Sequence, residues 1–139
     1  MAGYSATPLV KKLGIKSGIK LYLIDAPADY FEQVKPLPVD VNVMPRLSAG
    51  IDMAHVFSID AAHLAKTVQK ILPKLKPDGM IWISWPKKAA KVKTNITEDT
   101  IREIALPLGL VDIKVCAIDD VWSGLKLVIR KELRANMLK

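Results

Sequence analysis

The sequence predicts an α/β fold: a mostly parallel sheet with helices on both faces, closed by a C-terminal antiparallel hairpin. Three observations predict it. Short apolar runs rich in branched and aromatic residues alternate with amphipathic stretches, as parallel strands joined by crossover helices do. Two extended stretches, "LVDIKVCAID" and "WSGLKLVIRK", follow one another near the C-terminus with only a short acidic turn between them. The 139 residues, 50% hydrophobic and 25% charged, have the size and mix of one globular domain, expected to span residues 1–139.

The elements follow in order. "TPLVKKLG" predicts a short helix, with Thr7 as its cap, Pro8 at its first position and Gly14 at its end. "IKLYLIDA", Ile19 to Ala26, has the branched and aromatic content of a buried strand. Pro27 opens a helical turn through "PADYFEQV", and "KPLP" breaks it. "VDVNVMP", Val39 to Pro45, alternates as a second strand, short and near an edge. "IDMAHVFSI", Ile51 to Ile59, is the third.

Asp60 then caps a helix over Ala61 to Leu75 that puts Leu64, Val68, Ile71, Leu72 and Leu75 on one face. "KPDG" ends it and leads into "MIWISWP", Met80 to Pro86, the fourth strand, with Trp82 and Trp85 on opposite faces. Asn95 or Thr97 caps the next helix, "EDTIREIALPLG", which Pro107 and Gly109 close. After the hairpin, the tail "ELRANMLK" is a weak final helix or a frayed end.

Several function classes are excluded. The apolar stretch from Leu47 to Ala65 is broken by Asp52, His55, Asp60 and His63, too polar for a span of about 20 apolar residues. "MAGYSATPLVKK" lacks a cationic leader followed by an apolar core, so a cytoplasmic location is expected and no membrane partner. Cys116 is the only cysteine, which rules out an intrachain disulfide or a zinc site of several thiolates; its alternating apolar setting suits a buried thiol. His55 and His63 fall in different elements without a supporting acid and read as structural or surface residues, so no metal site is expected.

The order of elements resembles a shortened Rossmann-type fold of S-adenosylmethionine-dependent methyltransferases. "KKLGIKSGIKLYLID" resembles that family's entry into its first strand, and "LPKLKPDGMIWISW" its turn into a later one. "MAGYSATPLVKKLGIK", "WPKK" and "TEDTIREIALPLGLVDIKVCAIDDVWSGLKLVIR" are also similar to an uncharacterised bacterial family of short single-domain proteins common in actinobacteria. The resemblance implies the fold but supplies no activity.

Departures from the methyltransferase pattern shape the functional expectation. Enzymes of that class use glycines after the first strand, where backbone amides approach the cofactor. Here the stretch is "IDAPADYF", and no glycine lies between Gly18 and Gly50. An acid is expected at the end of the second strand for the ribose hydroxyls; Arg46 stands near that place, and Asp40 lies at the other end. The resemblance therefore implies a degenerate cofactor loop: no cofactor is expected, S-adenosylmethionine is disfavoured, and the first expectation is a non-catalytic binding protein. One alternative is a methyltransferase with an altered cofactor site, in which Asp25 and Asp29 face the ligand's cationic or hydroxyl groups. Another is weak nucleic-acid binding.

The net charge of +7 favours anionic partners without specifying one. It is concentrated in "PKKAAKVKTN", which leaves the fourth strand at its carboxyl end, where ligands of open α/β sheets bind. Lys87, Lys88, Lys91 and Lys93 are placed to meet an anion, with Trp85 as a stacking wall. Glu98 and Asp99 in the next helix would oppose a phosphate or draw the lysines back. The candidate ligand-binding set is thus Asp25, Asp29, Trp85, Lys87, Lys88, Lys91 and Lys93. The expected partner is an anionic small molecule or a protein; nucleic acid is disfavoured because the chain carries 6% aromatics and no recognised nucleic-acid module. Asp119 and Asp120 are read as turn residues, and Tyr4 and Tyr30 give no better case for a site.

Overall fold

The computed structural model describes residues 7–137, so Tyr4 lies outside them. Helix α1, Leu9–Leu13, ends at Gly14, whose φ of 82° is the left-handed conformation glycine adopts without strain. Pro8 is not inside this helix as expected. It is the N-cap, and its carbonyl accepts from the N–H groups of Lys11 and Lys12.

Strand β1 spans Lys20–Ile24 and is followed by one helical turn, α2, Tyr30–Gln33. Strand β2 is only Asn42–Val43, much shorter than the expected Val39 to Pro45. Alternation misleads here because Val39 and Val43 face solvent, and the chain is held to β1 by bonds from the N–H groups of Asn42 and Met44 to the carbonyls of Ile19 and Leu21. Strand β3, Ile51–Phe57, leads into α3, Ala61–Ile71, which Asp60 caps by accepting from the His63 N–H at 2.9 Å.

Strand β4 is longer than expected, Leu75–Pro86. Leu75 already pairs with Ile51, but the next partners are Met53 and Met80, so the surplus "KPDG" residues bulge out of the ladder instead of forming a separate turn. Helix α4, Glu98–Ala105, has Thr97 as N-cap in a reciprocal pair with Thr100. Strands β5, Leu110–Ala117, and β6, Trp122–Ile129, form the closing hairpin, and α5 covers Lys131–Met137.

The six strands make one sheet in the order β2-β1-β3-β4-β6-β5, parallel from β2 to β4 and antiparallel where β6 joins. Two cores form, one on each face. Residues of α3 and α4 (Leu64, Val68, Ile71, Ile101) pack with Ile81 and Ile83 on one side. Residues of α1 and α2 (Leu13, Tyr30) pack with Met53, Phe57 and Trp82 on the other. Trp82 and Trp85 accordingly fall into different cores, as the strand period requires. No helix among the described residues is long and apolar enough to cross a membrane.

Candidate functional site

Strand β1 has β2 on one side and β3 on the other, so the chain reverses its direction of winding between β1 and β3. A crevice forms at such a point, outside the carboxyl ends of the strands. A cavity of about 380 Å³ lies there, lined by Asp25, Phe57, Ser58, Ile59, Asp60, His63 and Trp122. Trp122 arrives from the hairpin because it pairs with Pro86 at the end of β4.

Asp25 directly follows β1 and adopts φ 55°, the left-handed conformation usually left to glycine. Aspartate is one of the few other residues that tolerate it, so the tight turn survives without a glycine. Asp60 closes the opposite side. Its carboxylate accepts from the backbone N–H of His63 and from Asn95 Nδ2 at 3.2 Å, and these bonds, the His63 N–H first, hold it below the usual carboxylate range. Two carboxylates and the partly exposed Trp122 therefore line one small cavity, with the buried Phe57 beneath.

A second, larger cavity of about 690 Å³ lies between the lysine-rich loop and the start of α4. Trp85, Lys87 and Lys88 line it, together with Glu98, Asp99 and Arg102. The helix acids do not draw the lysines back. Arg102 takes them, reaching Glu98 at 2.9 Å, Asp99 at 3.1 Å and Asp112 at 3.0 Å, and Asp112 first, then Glu98, pushes its guanidinium pKa up. Among the described residues, none of Lys87, Lys88, Lys91 and Lys93 pairs with an acid.

The seven residues singled out from the sequence are thus distributed over the carboxyl edge. Asp25 lines the crevice; Trp85, Lys87 and Lys88 line the larger cavity; Lys93 lines a hollow between them. Asp29 sits apart, beside Gln33, Asp119 and Asp120 in another hollow. Lys91 is exposed, at φ 56°. The carboxylate that the structure brings to Asp25 is Asp60, which the sequence shows only as a helix cap. Asp119 acts as a turn residue, accepting from the N–H groups of Val121 and Trp122 at 2.8 and 2.7 Å.

His55 is fully buried and bonded on both sides, with Nδ1 3.0 Å from Tyr30 Oη and Nε2 2.8 Å from Ser84 Oγ. Burial lowers its pKa to about 3, so the ring is neutral and offers one donor and one acceptor to its two partners. This Tyr–His–Ser chain lies inside the core and is structural. Cys116 is partly exposed, not the buried thiol expected, because it lies on β5, the strand at the sheet's outer edge; what burial it has pushes the thiol pKa up. No group of three or more His, Cys, Asp or Glu suited to a metal ion occurs among the described residues.

No protein-family model matches the chain. No curated protein sequence matches it either. Solved structures do. A SAM-dependent methyltransferase from Aquifex aeolicus superposes with a TM-score of 0.58 at 14% identity, over 88% of each chain. Magnesium protoporphyrin IX methyltransferase (ChlM) from Synechocystis PCC 6803 with bound SAM gives 0.56 at 10% identity, over 88% of this chain and 76% of that one. The B. subtilis M1A22 tRNA methyltransferase TrmK gives 0.52 at 10% identity, over 91% and 67%. The fold is methyltransferase-like.

These neighbours overturn two expectations from the sequence: that the chain is a non-catalytic binding protein, and that no cofactor is expected. The first rested on the missing glycines and on Arg46 in place of an acid after β2; the left-handed φ of 55° at Asp25 shows that this turn does not need a glycine to form. The second set S-adenosylmethionine aside in a fold whose neighbours are methyltransferases, one of them with that molecule bound.

Proposed function

We propose that the protein is an S-adenosylmethionine-dependent methyltransferase with an altered cofactor site, a single cytoplasmic domain of the short actinobacterial type. The observation that carries this is the crevice between β1 and β3, at the reversal of the sheet, with Asp25 and Asp60 both in its lining. The methyltransferase neighbours support the same reading.

The residues suit the group in charge and shape. S-adenosylmethionine carries an ammonium, a sulfonium and ribose hydroxyls, all of which favour carboxylate acceptors, and a flat base that favours aromatic faces. Asp25 and Asp60 would hold the positive and hydroxyl-bearing parts, and Trp122 the flat part. The alteration lies at two other places: Pro27 removes one amide from the loop, and Arg46, not an acid, follows β2. When bound, the cofactor supplies a methyl group on a positively charged sulfur. The chain's part is to orient it, and Asp60, held ionised by the His63 N–H, keeps its charge for that purpose.

Calorimetry with S-adenosylhomocysteine and S-adenosylmethionine tests this. Asp25→Asn and Asp60→Asn are the informative variants, because asparagine tolerates the left-handed turn and caps a helix as well as aspartate does. Each is expected to weaken binding by roughly tenfold or more while leaving the fold intact. Absence of heat with wild-type protein at millimolar ligand would remove the reading.

A further inference from the structure

We infer that the larger cavity beside the lysine-rich loop receives the methyl acceptor, and that the acceptor is an organic anion: a flat or apolar body bearing a phosphate or carboxylate. This rests on the methyltransferase reading above and adds the chemistry of the second substrate.

Four observations converge. The cavity has about 690 Å³, within the range of roughly 300–1,000 Å³ common for small-molecule sites. Its walls are divided in character, with Trp85, Pro86, Val92 and Ile96 apolar, Lys87 and Lys88 cationic, and Glu98 and Asp99 held by Arg102. The two lysine ammonium groups are uncommitted, because Arg102 already engages Glu98 and Asp99, the acids that would have neutralised them. An anionic group can meet both lysines without displacing a native ion pair, whereas a cationic acceptor would have to compete with Arg102 for Glu98 and Asp99.

The fourth observation is continuity with the cofactor crevice. Thr94 lines the large cavity and also a hollow of about 340 Å³ whose other walls are Ile59, Asp60, Lys93 and Asn95. Ile59 and Asp60 in turn line the crevice. This bridge is fixed by hydrogen bonds: Thr94 Oγ1 donates to the Ile59 carbonyl at 2.7 Å, and Asn95 Oδ1 accepts from the Ala61 N–H at 2.7 Å. The other end of the loop is tied down too, by the Lys87 N–H donating to the Val121 carbonyl at 2.7 Å. An acceptor anchored by its anion at Lys87 and Lys88 would extend along Thr94 toward Asp60 and the crevice.

The tryptophans permit a test that separates the two sites. Trp85 lines the acceptor cavity, Trp122 lines the crevice, and Trp82 is fully buried. In Trp122→Phe, titration with phenyl phosphate or with benzoate is expected to change the remaining fluorescence saturably, while neutral benzyl alcohol does not. Whichever of the two anions binds more tightly identifies the headgroup. Lys87→Gln together with Lys88→Gln is expected to weaken anion binding by about tenfold or more, and added salt should weaken it in the wild-type loop. In Trp85→Phe, the response of Trp122 to S-adenosylhomocysteine should be untouched by the lysine substitutions. Equal response to benzyl alcohol, or no saturable response to either anion while S-adenosylhomocysteine still binds, would overturn the inference and leave the methyltransferase reading standing. Anion binding without any binding of S-adenosylhomocysteine would overturn the acceptor role together with that reading.

Discussion

Trp82→Ala is expected to destabilise the protein severely, by about 3–5 kcal/mol for the lost side chain. The indole is fully buried at the centre of one core, and its Nε1–H donates to the Leu13 carbonyl at 2.8 Å, which ties β4 to the end of α1. Truncation leaves a cavity and strands that carbonyl, adding roughly 1 kcal/mol or more. Collapse around the hole is restricted, since Gly124 packs against the ring so closely that a β-carbon there would come within 3.2 Å of it and 2.9 Å of Ile118. Against a typical domain stability of about 5–15 kcal/mol, the melting temperature should fall by roughly 10–25 °C. Trp85→Ala removes an indole that is also buried, at 7% exposure, but borders an open cavity and has no hydrogen bond like that of Trp82, so it should cost less. Thermal unfolding followed by circular dichroism checks both, and equal losses would mean that the two faces of β4 are not packed as described.

The second large effect is a dependence of stability on pH centred on His55. The folded chain holds this imidazole neutral down to about pH 3, whereas in an unfolded chain it takes up a proton at the ordinary value near 6.5. Between those values the unfolded state binds one more proton. Stability is therefore complete above about pH 6.5 and falls as the pH drops, by about 1.4 kcal/mol per unit, or some 3 kcal/mol by pH 4. Tyr30 gives the opposite flank, because burial raises its pKa above the ordinary 10.0 and ionisation in the unfolded chain draws stability away as the pH rises past that value. Denaturant titrations from pH 4 to 8 should show a slope that His55→Gln lacks. Identical slopes would mean that His55 protonates in the folded state.

Much of the fold was legible because its determinants are local. Asp60 and Thr97 cap their helices, Gly14 and Gly109 end theirs in left-handed conformations, and β3, β4 and β6 carry the apolar runs of largely buried strands. Strand β2 was over-read because Val39 and Val43 alternate correctly but have nothing to pack against. The "KPDG" bulge was missed because a register slip belongs to two strands at once.

The candidate site was harder to read for the same reason. Asp25 and Asp60 are 35 positions apart (60 minus 25), and nothing before the sheet is assembled marks them as neighbours. The absent glycines were a poor guide to backbone shape at that turn, because Asp25 adopts a left-handed φ of 55° without one. In the lysine loop, sequence alone could not decide whether Glu98 and Asp99 would consume the lysines; Arg102 decides it by reaching both and Asp112.

Two-dimensional amide NMR of isotope-labelled protein titrated with S-adenosylmethionine tests the central claim most directly. The expected result is saturable shifts of the Asp25 and Ala26 amides and of those from Ser58 to Asp60, around the crevice between β1 and β3. A spectrum unchanged at millimolar ligand, or shifts confined to residues outside that crevice, would contradict it.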